Sequence, residues 1–125
     1  LIASGSEVHL ALKAKEELER EGHGTRVVSM PSMELFEAQC KEYRNKILPP
    51  EVRKRLAIEA GATQSWYKYV GLDGIVMGID EFGASGPGSQ VFVQPAGAVP
   101  AFDEPLLAER ARVLLQEPVQ VHGLV

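Results

Sequence analysis

The chain has little with which to build reactive chemistry. Cys40 is the sole cysteine in 125 residues, so an internal disulfide and a thiolate metal cluster are excluded. That scarcity fits a reducing compartment, and a cytoplasmic location is the expectation. A nucleophilic Cys40 would need a base held beside it, and an inert thiol accounts for the residue more simply. The three histidines, His9, His23 and His122, have no spacing that puts two on one helix face, so a histidine metal site is not expected. There is no G-x-G-x-x-G run and no Walker lysine pattern, which removes the common nucleotide fingerprints. There is also no excess of basic residues. The formal net charge is −4, and neither nucleic acid nor an anionic membrane is an expected partner. No apolar run approaches the roughly 20 residues of a membrane span, and no signal peptide is visible.

What is present is ordinary globular material. The composition is 45% hydrophobic and 24% charged, with a mean hydropathy of −0.07, far from the signature of disorder. The length suits one domain around one core. Leu1-Ile2-Ala3 reads as the tail of a strand without its beginning, and with no starting Met the chain is expected to be cut from a longer polypeptide.

Ser6 is placed to cap a helix over Glu7 to Glu21, with Glu7 in its first turn. Val8, Ala11, Leu12, Lys15 and Leu18 mark the inner face, widened by Leu10 and Ala14, and Gly22 and Gly24 supply the stop. Arg26 to Met30 reads as a buried strand, which completes a βαβ unit. One or two short helices are expected between Glu34 and Lys46, and Pro49-Pro50 breaks the chain. Arg55 to Ala60 is a third strand, Gly61 to Tyr69 a turn with a short aromatic helix, and Gly71 to Gly74 another turn. Ile75 to Ile79 is a fourth strand, with Gly78 where a neighbouring backbone approaches closely. Pro105 to Leu115 makes a last helix whose apolar side is Leu106, Leu107, Ala111, Leu114 and Leu115. The expected fold is a single three-layer α/β domain, with a mixed, mostly parallel sheet of about five strands flanked by helices.

Candidate site residues divide into three groups. Ser4, Gly5 and Ser6, at a strand-to-helix junction, could cradle an anion on free N–H groups, but plain N-capping explains them as well. Glu59, Asp73 and Asp80 lie near strand ends, where carboxylates can act as acid or base, or can simply cap turns and pair with cations. Trp66, Tyr67 and Tyr69 could stack a ligand, or anchor a core or an interface. Phe82 to Pro87 suits a tight loop pressed against another surface. No catalytic constellation emerges from these residues.

Several strings, in order, resemble the C-terminal domain of transketolase. They are S-G-S-E-V at Ser4 to Val8, R-V-V-S-M-P at Arg26 to Pro31, E-L-F-E-A-Q at Glu34 to Gln39, Y-R at Tyr43 and Arg44, L-P-P at Leu48 to Pro50, A-I-E-A-G at Ala57 to Gly61, W-Y-K-Y-V-G-L-D-G at Trp66 to Gly74, and F-G-A-S-G at Phe82 to Gly86. The resemblance covers residues 1–86. Residues 87–125 diverge: Val91 to Gly97 stands where the family carries a helix and a segment like F-G-F-T-P, and likeness returns loosely at Ala108 to Arg112.

The resemblance implies an enzyme that moves a two-carbon ketol unit between sugar phosphates with thiamine diphosphate and a divalent metal, Mg or Ca. It implies a homodimer of three-domain subunits in which the other two domains supply cofactor, metal and catalytic residues. On this reading the present domain has a structural part in the subunit and dimer, with no catalytic, cofactor-binding or metal residue of its own. Trp66, Tyr69 and Phe82 are then candidates for packing against the other domains. A regulatory or small-anion-binding module, and the terminal domain of a related thiamine-dependent enzyme, stand as alternatives.

Overall fold

A computed structural model describes residues 1–80 and 104–116. The chain order is β1 (Ile2–Ala3), α1 (Glu7–Arg20), β2 (Val28–Ser29), α2 (Met33–Glu37), α3 (Lys41–Ile47), β3 (Leu56–Ile58), a 3-10 turn (Gln64–Trp66) running into α4 (Tyr67–Val70), β4 (Ile75–Met77), and α5 (Glu104–Gln116). The strands form one sheet in the order β2-β1-β3-β4, with every pairing parallel. Ile2 lies opposite both Val28 and Ala57, and Ile58 lies opposite Met77.

The three-layer α/β architecture agrees with the sequence, but the sheet differs from expectation. Among the described residues it has four strands and no antiparallel member. The cause is that residues 1–80 supply four β runs, each separated from the next by helix, and such crossovers return the chain parallel. The divergent segment 90–103 lies outside the described residues. The ladders are also shorter than the apolar runs suggest, although Met30 N–H donates to the Ala3 carbonyl at 2.8 Å, just beyond β2.

A parallel sheet covered on both faces needs apolar side chains on both sides of its pleat. Ala3, Leu56, Ile58 and Met77 point to one face, where Ala11, Ala14 and Leu18 of α1 and Leu107, Ala108 and Ala111 of α5 cover them. Ile2, Val28 and Ala57 point to the other, under Trp66, Tyr69 and Val70, with Phe36, Ile47 and Leu48 packed alongside.

Three local readings are corrected. Ser6 does not cap α1: its backbone is already helical (φ −65°, ψ −27°), and its Oγ donates to Glu7 Oε1 at 2.7 Å. The helix instead opens with i→i+3 bonds from the Glu7, Val8 and His9 N–H groups to the Ser4, Gly5 and Ser6 carbonyls. Leu12 is 46% exposed, because the buried stripe runs Glu7, Ala11, Ala14, Leu18 and leaves position 12 rotated off it. Lys15 is half-buried and pairs with Glu19 at 3.6 Å.

The stop at Gly22 is as expected. Its φ is +90°, His23 N–H bonds the Leu18 carbonyl and Gly22 N–H bonds that of Glu19, the paired pattern of a left-handed helix end. Gly78 also meets its expectation. A Cβ there would stand 2.6 Å from Thr63 Cγ2 and 2.7 Å from the Gly61 carbonyl oxygen.

Candidate functional site

In an open α/β sheet, ligands sit beyond the carboxyl ends of the strands, where the strand order reverses. Here that place is the end of β1, flanked by β2 and β3, so the loops after β1, β3 and β4 form the candidate site. Ser4, directly after β1, donates from Oγ to the Glu59 carboxylate, directly after β3. The chain after β3 is fixed to the chain after β4: Ile79 N–H donates to the Gly61 carbonyl at 2.7 Å. Thr63 donates its backbone N–H (2.9 Å) and its Oγ1 (2.8 Å) to the Asp80 carboxylate. Those bonds, the backbone N–H first, hold the Asp80 carboxyl below its ordinary range.

The chemical consequence is closure. Both carboxylates at the strand ends are committed to hydroxyls and amides of the domain itself. Asp73, the third acidic candidate, ion-pairs with Arg53. Ser4 and Ser6 each present a hydroxyl to a carboxylate, Glu59 and Glu7, so negative charge already borders the Ser4-Gly5-Ser6 turn. That arrangement opposes a bound anion. His9, His23 and Cys40 are exposed and scattered, and His122 lies outside the described residues. Among the described residues no three His, Cys, Asp or Glu side chains come together in a way that could hold a metal.

The aromatic group has a different place from the one expected. Trp66 and Tyr69 are 4% and 5% exposed, inside the core of this chain, so the expectation that they face other domains is revised. Tyr67, on the same turn of helix, is the exposed one. Phe82 lies outside the described residues. The Tyr69 ring meets Phe36 edge-on, with centroids 5.8 Å apart, and its hydroxyl donates to Glu37 Oε1 at 2.9 Å. Burial, followed by the Glu37 carboxylate, pushes the phenol up to about 12.

Glu37 also takes Lys68 at 3.0 Å and Arg44 at 3.1 Å, joining α2, α3 and α4 through one carboxylate. Arg55 does similar work from below. Its guanidinium donates to the carbonyls of Pro49 and Val52 (both 2.7 Å), Tyr69 (2.8 Å) and Leu48 (3.3 Å). Sequence reasoning missed both hubs. Their partners are distant in the chain, and neither spacing nor composition marks them.

A three-layer domain whose sheet, among the described residues, is all parallel belongs to the open α/β class. Comparison with known proteins narrows this. The family model described as the transketolase-like TK C-terminal domain matches residues 1–95, and the chain belongs to that family. The transketolase of Aquifex aeolicus is 59% identical over 92 residues, 74% of this chain and 13% of the relative. That of Bacillus subtilis is 55% identical over 100 residues, 80% of this chain and 15% of the relative. Among solved structures, a transketolase mutant from Pichia stipitis superposes with a TM-score of 0.74 at 35% identity, over 91% of this chain and 16% of its own. The Campylobacter jejuni transketolase gives 0.69 at 35% identity, over 93% of this chain and 16% of its own. The chain thus spans about one-seventh of the length of the relatives it matches. No helix among the described residues is long and apolar enough to cross a membrane.

Proposed function

We propose that these residues form the C-terminal domain of a transketolase, a thiamine-diphosphate-dependent enzyme that transfers a two-carbon ketol unit between sugar phosphates. Within it the domain has a structural part, supporting the subunit and its homodimer, and the reaction belongs to a cytoplasmic pentose phosphate pathway. The observation that carries the reading is the 55–59% identity to transketolases over 92–100 residues. A solved relative at 34% identity is a Pichia stipitis transketolase in complex with sedoheptulose 7-phosphate, which supports a sugar-phosphate substrate for the whole enzyme.

Thiamine diphosphate, with its divalent metal, supplies the group that carries the ketol unit. The described residues do not fit such a cofactor. The carboxylates at the strand ends are bonded internally, and no three ligating side chains meet. No step of the transfer is therefore derived through side chains of this domain, and its contribution is read as architectural.

The test has two arms. Calorimetric titration of the chain with thiamine diphosphate and Mg²⁺ is expected to give no saturable heat; a saturable isotherm would overturn the structural reading. A chimera in which this chain replaces the matching domain of the Bacillus subtilis transketolase is expected to transfer ketol units. A folded, dimeric chimera without that activity would count against the family role.

A further inference from the structure

The opposite end of the sheet, at the amino termini of the strands, holds a cavity of about 210 Å³. Arg26 stands just before β2, and Lys54 and Arg55 stand just before β3. Because β1, β2 and β3 run parallel, these three residues gather at the end away from the candidate site, and all of them line the cavity. Its walls are apolar: Leu18 of α1, Leu56 of β3, Leu48 and Val52 of the chain between α3 and β3, and Ala111 and Leu114 of α5. Among the described residues no acidic side chain lines it.

The partners of the cations distinguish this place. Half-buried cations elsewhere have carboxylates: Lys15 reaches Glu19, Arg44 reaches Glu37, and Arg112 reaches Glu17 and Glu21. Lys54 and Arg55 are half-buried too, but among the described residues their partners are neutral. Lys54 Nζ donates to the Leu115 carbonyl at 3.0 Å, and Arg55 donates to the four carbonyls named above. Arg26, exposed at the rim, likewise donates to the carbonyls of Lys46 (2.9 Å) and Ile47 (3.3 Å). Burial holds the Arg55 guanidinium below its ordinary value. Burial, and then the Arg55 charge, lower the Leu1 amine to about 6, so at neutral pH the positive charge is that of the side chains. Carbonyls accept hydrogen bonds without cancelling charge, and the cavity therefore joins apolar walls to uncompensated cations.

We propose that this cavity binds a small amphiphilic carboxylate, with its hydrocarbon body against the apolar walls and its carboxylate on the Lys54 ammonium. An ammonium has three donors, so Lys54 can take the carboxylate and keep its bond to Leu115. Arg26 and Arg55 add attraction from nearby. An apolar cavity of about 150 Å³ holds benzene, so one of about 210 Å³ has room for a body of roughly eight carbon atoms. A bare inorganic anion would leave the walls unfilled, and a neutral hydrocarbon would leave the charge unmatched. The described residues alone form this site, which is independent of the ketol transfer proposed above.

Octanoate is the probe, titrated at neutral pH into the 125-residue chain and followed by calorimetry and by the methyl NMR signals of the protein. Saturable binding at or below millimolar concentration is expected, with shifts at Leu18, Leu56 and Leu114. Octanol keeps the body without the charge, and acetate keeps the charge without the body. Each should bind at least about tenfold more weakly. Silence with octanoate, shifts confined to other residues, or equal binding of octanol would overturn the site.

Lys54→Met keeps an unbranched side chain and removes its charge. It should weaken octanoate at least about tenfold and leave octanol unchanged, whereas Lys41→Met, at an exposed position of α3, should change neither. Unchanged octanoate binding in a folded Lys54→Met would overturn the assignment. Salt gives a measure that needs no variant: octanoate affinity should fall as NaCl rises while that of octanol does not, and a salt-independent octanoate affinity would count against the cations. In the Bacillus subtilis chimera octanoate should still bind, whether or not ketol units are transferred. Binding lost there would identify the adjoining polypeptide as the occupant of the cavity and overturn the ligand site.

Discussion

Replacing Gly78 by alanine tests how tightly the loops after β3 and β4 are locked. The added methyl would lie 2.6 Å from Thr63 Cγ2 and 2.7 Å from the Gly61 carbonyl oxygen, about an ångström inside ordinary contact. Neither neighbour can yield freely. Thr63 is buried, and turning its side chain breaks the 2.8 Å bond from Oγ1 to Asp80. Gly61 is held by the 2.7 Å bond from Ile79 N–H. Overpacking of this kind costs about 1–3 kcal/mol, and the entropy that alanine removes from the unfolded chain returns about 0.4–1 kcal/mol. The net expectation is a loss of about 1–2 kcal/mol, seen in urea as a lower midpoint at unchanged slope. In a thermal melt it corresponds to a fall of roughly 3–8 °C. Gly24→Ala is the control, since a Cβ there meets nothing within 4 Å and the backbone is not left-handed. If Gly78→Ala proves as stable as Gly24→Ala, the close approach does not constrain the loops and the reasoning fails.

Two further outcomes follow from the hydrogen bonding. Ser32 Oγ accepts the Leu35 N–H at 3.2 Å and so caps α2, whereas Ser6 makes no such bond. Ser32→Ala should therefore cost about 0.5–1 kcal/mol and Ser6→Ala less than about 0.5 kcal/mol in chemical denaturation; the opposite order would restore Ser6 as the helix cap. The Asp80 carboxyl is depressed in the folded state, so its stabilisation is present above the unfolded carboxylate range and is lost as pH falls through the folded value. Melting curves of the protein and of Asp80→Asn should accordingly differ at neutral pH and converge below about pH 4; a gap independent of pH would show that Thr63 does not bind the ionised form.

Much of the fold can be read from local pattern. The β runs at Ile2, Val28, Leu56 and Ile75, the stripe of Ala11, Ala14 and Leu18, and the stop at Gly22 all follow from period and from glycine's access to positive φ. Gly78 is legible for the same reason, since a glycine within an apolar strand run marks a close approach. The misreading of Leu12 is one of helix phase, whereas those of Ser6 and of the aromatic residues depend on the sheet order.

Ser6 looks like a cap until the loop after β3 is known to bring Glu59 to Ser4 and the turn tightens into i→i+3 bonds. Trp66 and Tyr69 have the composition of an interface. Only the placement of α4 over Ile2 and Ala57 turns them inward. The bonds that close the candidate site join Ser4 to Glu59 and Thr63 to Asp80, the bond that seats Tyr69 joins it to Glu37, and no residue spacing announces any of them. The resemblance to a family was legible throughout, because it rests on strings of residues rather than on their contacts.

The position of β1 has a kinetic consequence. It is an inner strand made of the second and third residues of the chain, and its two neighbours begin at Val28 and Leu56. No hairpin can start this sheet, since among the described residues every pairing joins strands separated by a crossover. Its assembly must close those long loops before any ladder bond forms, which places it among slowly nucleating, high-contact-order topologies. During synthesis, Ile2 and Ala3 would leave the ribosome before Leu56 and wait for it to emerge before their second edge is covered. Through that interval the strand is an unpaired apolar segment, and the 14-residue α1 is the piece of structure able to form beside it.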